Sequence, residues 1–228
     1  MRARLSSLFD ALLPVLATLA ALAVGAVMLL FLGVNPIEAY AAMWDGAFGS
    51  GNSFAETLVK ATPLLLVALG ICISFRGDVI NIGGEGQMII GAILATWIGL
   101  TLTDWPGWLV ITFCLLAGFV GGAVWGGIPG LLKAYFNVNE ILSTVMMNAI
   151  AVQLMNFLLR GPMIDPSQAL LASKIPQTAR LIEAFQLPRL APTRLHMGAL
   201  LAVALAFLVY ILLWRTTWGY RIRAVGQN

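Results

Sequence analysis

The sequence predicts an all-α fold, a polytopic membrane helix bundle. Of the 228 residues, 60% are hydrophobic and 10% are charged, and the mean hydropathy of +0.92 lies outside the range of ordinary soluble domains. A helix needs roughly 20 largely apolar residues to cross a hydrocarbon core of about 30 Å. Runs that no charge interrupts, each able to supply such a helix, cover residues 11–37, 86–103, 105–132, 141–159 and 195–214.

A sixth apolar run, residues 61–75, reaches spanning length if its helix begins near Phe54, so the sequence predicts about six spans. Arg2 and Arg4 precede the first run as they would in a signal peptide, but the run is about twice as long as a typical h-region. We therefore expect an uncleaved first helix. With both ends in the cytoplasm, seven of the 13 basic residues lie on the cytoplasmic side.

The segments between the spans predict one membrane domain over residues 1–228, without a linker or an internal repeat. Residues 35–53 mix apolar residues with Pro36 and glycines, which favours a short interfacial helix followed by a turn. Residues 161–194 hold five prolines, so we expect an ordered extracytoplasmic loop with only short helical pieces. Residues 215–228 form a basic cytoplasmic segment.

Four glycines recur at four-residue spacing in the run 105–132, which places them on one stripe of a helix. Small residues let another backbone approach closely in a membrane, so we expect this stripe to pack against a neighbouring helix. A solute path lined by bare glycine is the alternative. The four residues are Gly118, Gly122, Gly126 and Gly130.

The segment FRGDVINIGGEGQ, residues 75–87, places Asn81, Glu85 and Gln87 among glycines between two apolar helices. Non-helical backbone near a membrane survives where protein or water satisfies its polar groups, and such breaks often mark solute paths. An ordinary cytoplasmic turn is the alternative.

GGEG is a poor match to a phosphate-binding loop, because the GxxxxGK[ST] pattern is missing.

A second polar group, Glu140, Thr144 and Asn148, follows i, i+4 spacing in an otherwise apolar helix. Such groups avoid lipid and either hold helices together or meet a solute. We predict a solute path from these three residues and from Asn81, Glu85 and Gln87. Asn139 is a predicted N-cap, and Glu140 also suits the positive end of the helix.

Other function classes find little support in the residues. His196 is the one histidine and has no partner at metal-ligand spacing, and no nucleophile stands beside a base and an orienting group. The basic residues form no run of the kind that binds nucleic acid. We therefore expect no catalytic residue, metal or cofactor.

Five segments together resemble the membrane permeases of ribose and branched-chain amino acid type ATP-binding-cassette importers, and most closely their nucleoside and simple-sugar branch. Residues 75–87 and GYRIRAVGQN at Gly219 carry the most specific likeness. The others are NPIEAYAAMWDGAFGS at Asn35, ETLVKATPLLLVALG at Glu56 and VNEILSTVMMNAIA at Val138.

The resemblance implies about ten helices per permease, a second permease subunit, a separate ATP-binding subunit and an extracytoplasmic solute-binding protein. It also implies that the chain is an N-terminal part of a longer permease. A nucleoside is the first expected solute and a simple sugar the second. Residues implied in coupling to the ATPase, which could otherwise serve as a positively charged anchor, are Gly219, Arg221, Arg223, Gly226 and Asn228. A secondary, ion-driven transporter and an inactive permease fragment are the alternatives.

Overall fold

The structure is a computed structural model that describes residues 2–169, 171, 173, 175–190 and 192–227. Within these residues it is all-helical, apart from one isolated bridge between Arg189 and His196. The helices are α1 (Arg2–Phe31), α2 (Pro36–Phe48), α3 (Gly51–Arg76), α4 (Gly84–Thr101), α5 (Gly107–Phe136), α6 (Glu140–Arg160), α7 (Pro166–Ala169), a 3-10 turn (Glu183–Phe185), α8 (Gly198–Arg215) and α9 (Thr217–Val225).

Five described helices are long and apolar enough to cross a membrane: Leu12–Phe31 of α1, α3, α5, α6 and α8. The predicted polytopic helix bundle is therefore confirmed. The remaining predicted span, 86–103, forms α4, an 18-residue helix that is not among these five and whose first turn carries Glu85 and Gln87. It packs against both α5 and α6, which also contact each other.

The chain divides at Thr57 into two compact units, Met1–Thr57 and Leu58–Asn228. In the first unit, α1 ends at Phe31, earlier than its apolar run, because Gly33 adopts φ 73° and Pro36 starts the next helix. The Asn35 side chain accepts a hydrogen bond from the Ile37 N–H at 3.0 Å and so caps α2. The predicted short helix after the first span is confirmed.

In the second unit, α4 and α5 approach at backbone distance through glycine. A Cβ added to Gly91 would lie 2.8 Å from the Gly118 carbonyl oxygen, and one added to Gly122 would lie 3.3 Å from the Gln87 carbonyl oxygen. A Cβ at Gly126 would meet the Gln87 side chain at 2.8 Å. Three of the four stripe glycines thus face α4.

The fourth, Gly130, has no atom within 4 Å of an added Cβ. In this antiparallel pair Gly118 lies opposite Gly91 and Gly122 lies opposite Gln87. The position level with Gly130 therefore precedes the first residue of α4. The helical repeat also rotates the stripe by about 40° at each four-residue step. No turn of α4 is therefore present at that level.

Gly122→Leu is expected to destabilise the protein by about 1–3 kcal/mol or more, because the side chain must enter the space that the Gln87 backbone occupies. Thermal unfolding in detergent measures the effect. Gly127→Leu is the matched control, since it changes the same helix at a position with no atom within 4 Å. Equal melting temperatures for the two variants would contradict a close-packed α4–α5 contact.

The segment after α6 covers the adjoining ends of α4 and α5. A Cβ at Gly107 would overlap the Ala184 carbonyl oxygen, and one at Gly99 would lie 2.7 Å from Leu181 Cδ2. Phe185 is buried there. The described pieces, α7 and the 3-10 turn, agree with the predicted ordered cap with short helical pieces, and its extracytoplasmic position stays a prediction.

Candidate functional site

The first part of the site is the turn that follows α3, residues Arg76–Asp78. The Gly77 and Val79 N–H groups both donate to the Ser74 carbonyl, at 2.9 and 3.1 Å. Asp78 adopts φ 57°, a left-handed conformation that is uncommon outside glycine. The turn therefore ends α3 sharply and sends the chain towards α4.

The Asn81 side chain stabilises the loop that precedes α4. Its Oδ1 accepts a hydrogen bond from the Gly83 N–H at 2.8 Å and a longer one from Gln87 Nε2 at 3.3 Å. The first four N–H groups of a helix have no partner within the helix, so oxygen atoms at this point stabilise its start. Asn81 fixes the loop and the first turn in one arrangement.

Asn148 reaches the same helix start from α6. Its Oδ1 accepts from the Gly86 N–H at 2.8 Å, and its Nδ2 donates to the Ile82 carbonyl at 3.0 Å. One amide thus satisfies a donor in α4 and an acceptor in the preceding loop. Trp125 Nε1 lies beside Gly86 and is buried without a hydrogen-bond partner among the described residues.

Gln87 and Thr144 complete this cluster, which we call the polar junction (Asn81, Gly83, Gly86, Gln87, Thr144 and Asn148). A Cβ at Gly83 would lie 3.3 Å from both Gln87 Nε2 and Thr144 Cβ. Thr144 is 3% exposed and donates to the Glu140 carbonyl at 2.6 Å. Four of the six predicted path residues therefore meet at one point, and most of their polar atoms are used in protein hydrogen bonds.

The two predicted acidic path residues lie outside the polar junction. Glu85 is exposed on the first turn of α4. Glu140 Oε2 lies 2.8 Å from Lys133 Nζ, an ion pair that joins the end of α5 to the start of α6. The predicted N-cap at Asn139 is confirmed, because its Oδ1 accepts from the Ile141 and Leu142 N–H groups.

The second part of the site is the terminal helix, α9. Thr216 Oγ1 accepts from the Gly219 N–H at 3.1 Å and donates to the Leu212 carbonyl at 2.6 Å. Gly219 is buried, and a Cβ there would overlap the Leu212 carbonyl oxygen and lie 2.5 Å from that of Leu213. Only glycine permits this sharp passage from α8 into α9.

The other end of the terminal helix contacts the Arg76–Asp78 turn. A Cβ at Gly226 would overlap the Arg76 carbonyl oxygen and lie 3.0 Å from the Asp78 nitrogen. A Cβ at Gly77 would lie 3.7 Å from Ile222 Cγ2. The predicted coupling segment therefore packs on the turn that leads into the polar junction.

Trp214 adds a contact between these elements that the sequence did not reveal. The Arg76 guanidinium carbon lies 5.1 Å from the Trp214 ring centroid, and that of Arg223 lies 4.6 Å from it. Both distances are typical of cation–π contacts. The sequence does place a tryptophan beside basic residues at the end of a span, which could have indicated a cation–π contact. It could not have identified Arg76 as the partner.

The other predicted coupling residues are placed differently. Arg221 lies over the Trp218 ring, 5.6 Å from its centroid, within the terminal helix itself. Asn228 lies outside the described residues. His196 Nδ1 accepts from the Gly198 N–H at 3.1 Å, which gives this histidine a structural role at the start of α8.

Five described helices of spanning length and apolar composition define a multi-pass membrane protein. Residues 53–228 match the model of the branched-chain amino acid transport system / permease component family. The chain belongs to this family, and it is a multi-pass protein of the plasma membrane.

Curated relatives extend this likeness. The chain is 36% identical to the glucose ABC transporter permease protein TsgB13 of Haloferax volcanii, over 94% of this chain and 58% of that protein. It is 35% identical to the guanosine ABC transporter permease protein NupP of Bacillus subtilis, over 95% and 62% of the two chains. It is 32% identical to the nucleoside ABC transporter permease protein NupB of Lactococcus lactis, over 95% and 61%.

The chain therefore spans about three fifths of the length of these relatives. No solved structure matches it significantly.

Proposed function

We propose that this chain is part of a permease subunit of an ATP-binding-cassette importer and forms part of the path for a small, neutral, polar solute. The match of residues 53–228 to the permease family carries this proposal. ATP hydrolysis belongs to a separate subunit in this scheme, because the sequence lacks a GxxxxGK[ST] loop. A second permease subunit and an extracytoplasmic solute-binding protein complete the assembly.

The proposed solute is a nucleoside first and a simple sugar second. Relatives named for guanosine, nucleosides and glucose support this class. The low charged fraction, 10% of residues, suits neutral solutes, which need amide and hydroxyl partners more than ion pairs. Contact of solute with Asn81, Glu85, Gln87, Glu140, Thr144 or Asn148 stays a prediction.

The proposed contact with the ATP-binding subunit involves the terminal helix, with Gly219, Arg221, Arg223 and Gly226, and the segment through Asn228. A displacement of this helix would reach the polar junction through only a few residues. The Arg76 and Asp78 backbone contacts Gly226, and the polar junction begins three residues later at Asn81. These elements would make different contacts in two arrangements of the permease, one open to the outside and one open to the inside. The change between the two arrangements, without covalent chemistry, would re-expose the path from outside to inside.

Uptake into proteoliposomes tests the function. The full-length permease, reconstituted with its ATP-binding subunit, partner permease and binding protein, is expected to accumulate labelled guanosine only when ATP is hydrolysed. Unlabelled glucose, added in excess over the labelled guanosine, serves as the competing sugar. Uptake that persists without ATP and stops when an ionophore collapses the ion gradient would contradict the proposal and identify a secondary transporter.

A further inference from the structure

The indole N–H of Trp125, on α5, is a buried donor without an acceptor. Its Nε1 atom is closed off from solvent and makes no hydrogen bond with any residue that the structure describes. Gln168 Oε1, in the short helix α7, is the other buried side-chain atom of this kind within the described residues. An unpaired buried donor costs about as much free energy as a lost hydrogen bond, so such groups are rare and require a specific reason.

This unpaired donor lies at the polar junction, beside an acceptor that has spare capacity. A Cβ built on Gly86 would lie 3.0 Å from Trp125 Nε1 and 2.8 Å from Asn148 Oδ1, so both atoms lie on the same side of Gly86. Asn148 Oδ1 accepts one hydrogen bond, from the Gly86 N–H at 2.8 Å. An amide oxygen has two lone pairs, so the Gly86 N–H and the indole N–H are two donors for one nearby oxygen.

The contact between α4 and α5 suits a small sliding movement of one helix along the other. At Gly91 and Gly118 backbone faces backbone, and no side chain of either residue interlocks the two helices there. Sliding of packed helices is a common form of conformational change, in which each helix keeps its own structure. A shift of α4 relative to α5 and α6 withdraws the Gly86 N–H from Asn148 and leaves its Oδ1 to the indole N–H.

We propose that Trp125 is a positioning residue for transport, whose N–H replaces the Gly86 N–H as the donor to Asn148 Oδ1 in the second arrangement of the permease; this inference rests on the proposed transport function. The unpaired donor raises the free energy of the arrangement described here, and its pairing lowers that of the other. The proposed coupling route reaches α4 through the Arg76–Asp78 turn and Asn81. The exchange of donors at Gly86 therefore takes place where that route ends.

Two variants at this position separate the N–H group from the bulk of the ring. Trp125→Phe keeps a six-membered ring but has no donor, whereas Trp125→His is smaller and keeps a ring N–H where the indole has its own. In the full-length reconstituted complex, Trp125→Phe is expected to lower the maximal rate of ATP-dependent guanosine uptake about three- to tenfold, the factor that one ordinary hydrogen bond supplies. Trp125→His is expected to recover part of this loss. The half-saturating guanosine concentration should stay at the wild-type value in both variants.

Trp108→Phe is the matched control, since it makes the same change on the same helix at a side chain that is 69% exposed, and it is expected to keep wild-type uptake. A packing role for Trp125 predicts the reverse order, with Phe above His in uptake rate or in subunit assembly, and that order overturns the inference. Wild-type rates in Trp125→Phe, or a change in the half-saturating concentration alone, also overturn it. A wild-type complex without ATP-dependent uptake of any solute overturns the proposed function and the inference together.

Discussion

Asn148→Leu is expected to abolish transport and to destabilise the permease by about 2–6 kcal/mol, because it leaves two polar backbone groups unpaired. The Gly86 N–H and the Ile82 carbonyl both lose the partner that the Asn148 amide provides. Each unsatisfied group costs about 1–3 kcal/mol when water cannot replace the partner. Thermal unfolding in detergent and guanosine uptake in proteoliposomes measure the two effects.

Asn148→Asp separates the two hydrogen bonds. A carboxylate keeps the acceptor for the Gly86 N–H and suits the positive end of α4, but it cannot donate to the Ile82 carbonyl. We expect its loss of stability to be smaller than that of the leucine variant. Wild-type melting temperature and uptake in Asn148→Leu would show that the polar junction does not depend on this amide.

Gly226→Ala is expected to leave membrane insertion intact and to remove solute stimulation of ATP hydrolysis, because its Cβ overlaps the Arg76 carbonyl oxygen. The terminal helix must then leave the Arg76–Asp78 turn, and displacement at the ATPase no longer reaches the polar junction. ATPase activity of the reconstituted complex, with and without loaded binding protein, measures the loss. We expect a similar loss from bulky residues at Gly219.

Two comparisons isolate coupling from other effects. Gly127→Ala adds the same methyl group where no atom lies within 4 Å, so its stimulation should equal that of the wild type. Arg221→Lys with Arg223→Lys keeps the positive charge of an anchor but loses the planar guanidinium that stacks on Trp214. Full stimulation in both the Gly226 and the double lysine variants would leave the segment only an anchoring role.

Hydropathy and capping residues predicted the helices because both act locally. The extension of the third helix towards Phe54 is confirmed, since α3 begins at Gly51, and the predicted N-cap Asn139 begins α6. Asn35 caps α2 in the same way, although this cap was not predicted. The number of spans differs: six were predicted, whereas five described helices are long and apolar enough, because Glu85 and Gln87 make the first turn of α4 polar. A composition average cannot separate a polar helix start from a loop.

Partners distant in sequence could not be predicted. Periodicity indicates which side chains share a face, but it does not indicate what that face meets. Asn148 contacts residues more than 60 positions away, and Gly226 contacts Arg76 across most of the chain. Spacing alone likewise could not show that Gly130 lies beyond the start of α4 while Gly118 lies against it.

The short length of α4 affects the bilayer around the polar junction. Its 18 residues extend about 27 Å, and without the polar first turn the apolar part is nearer 20 Å, against about 30 Å of hydrocarbon. The 30-residue α5 beside it extends about 45 Å. Asn81 and Gln87 stand at the polar end of this short helix. A bilayer accommodates a short membrane helix by thinning or by admitting water at the polar end, so we expect a thinner hydrocarbon layer beside α4 than beside α5.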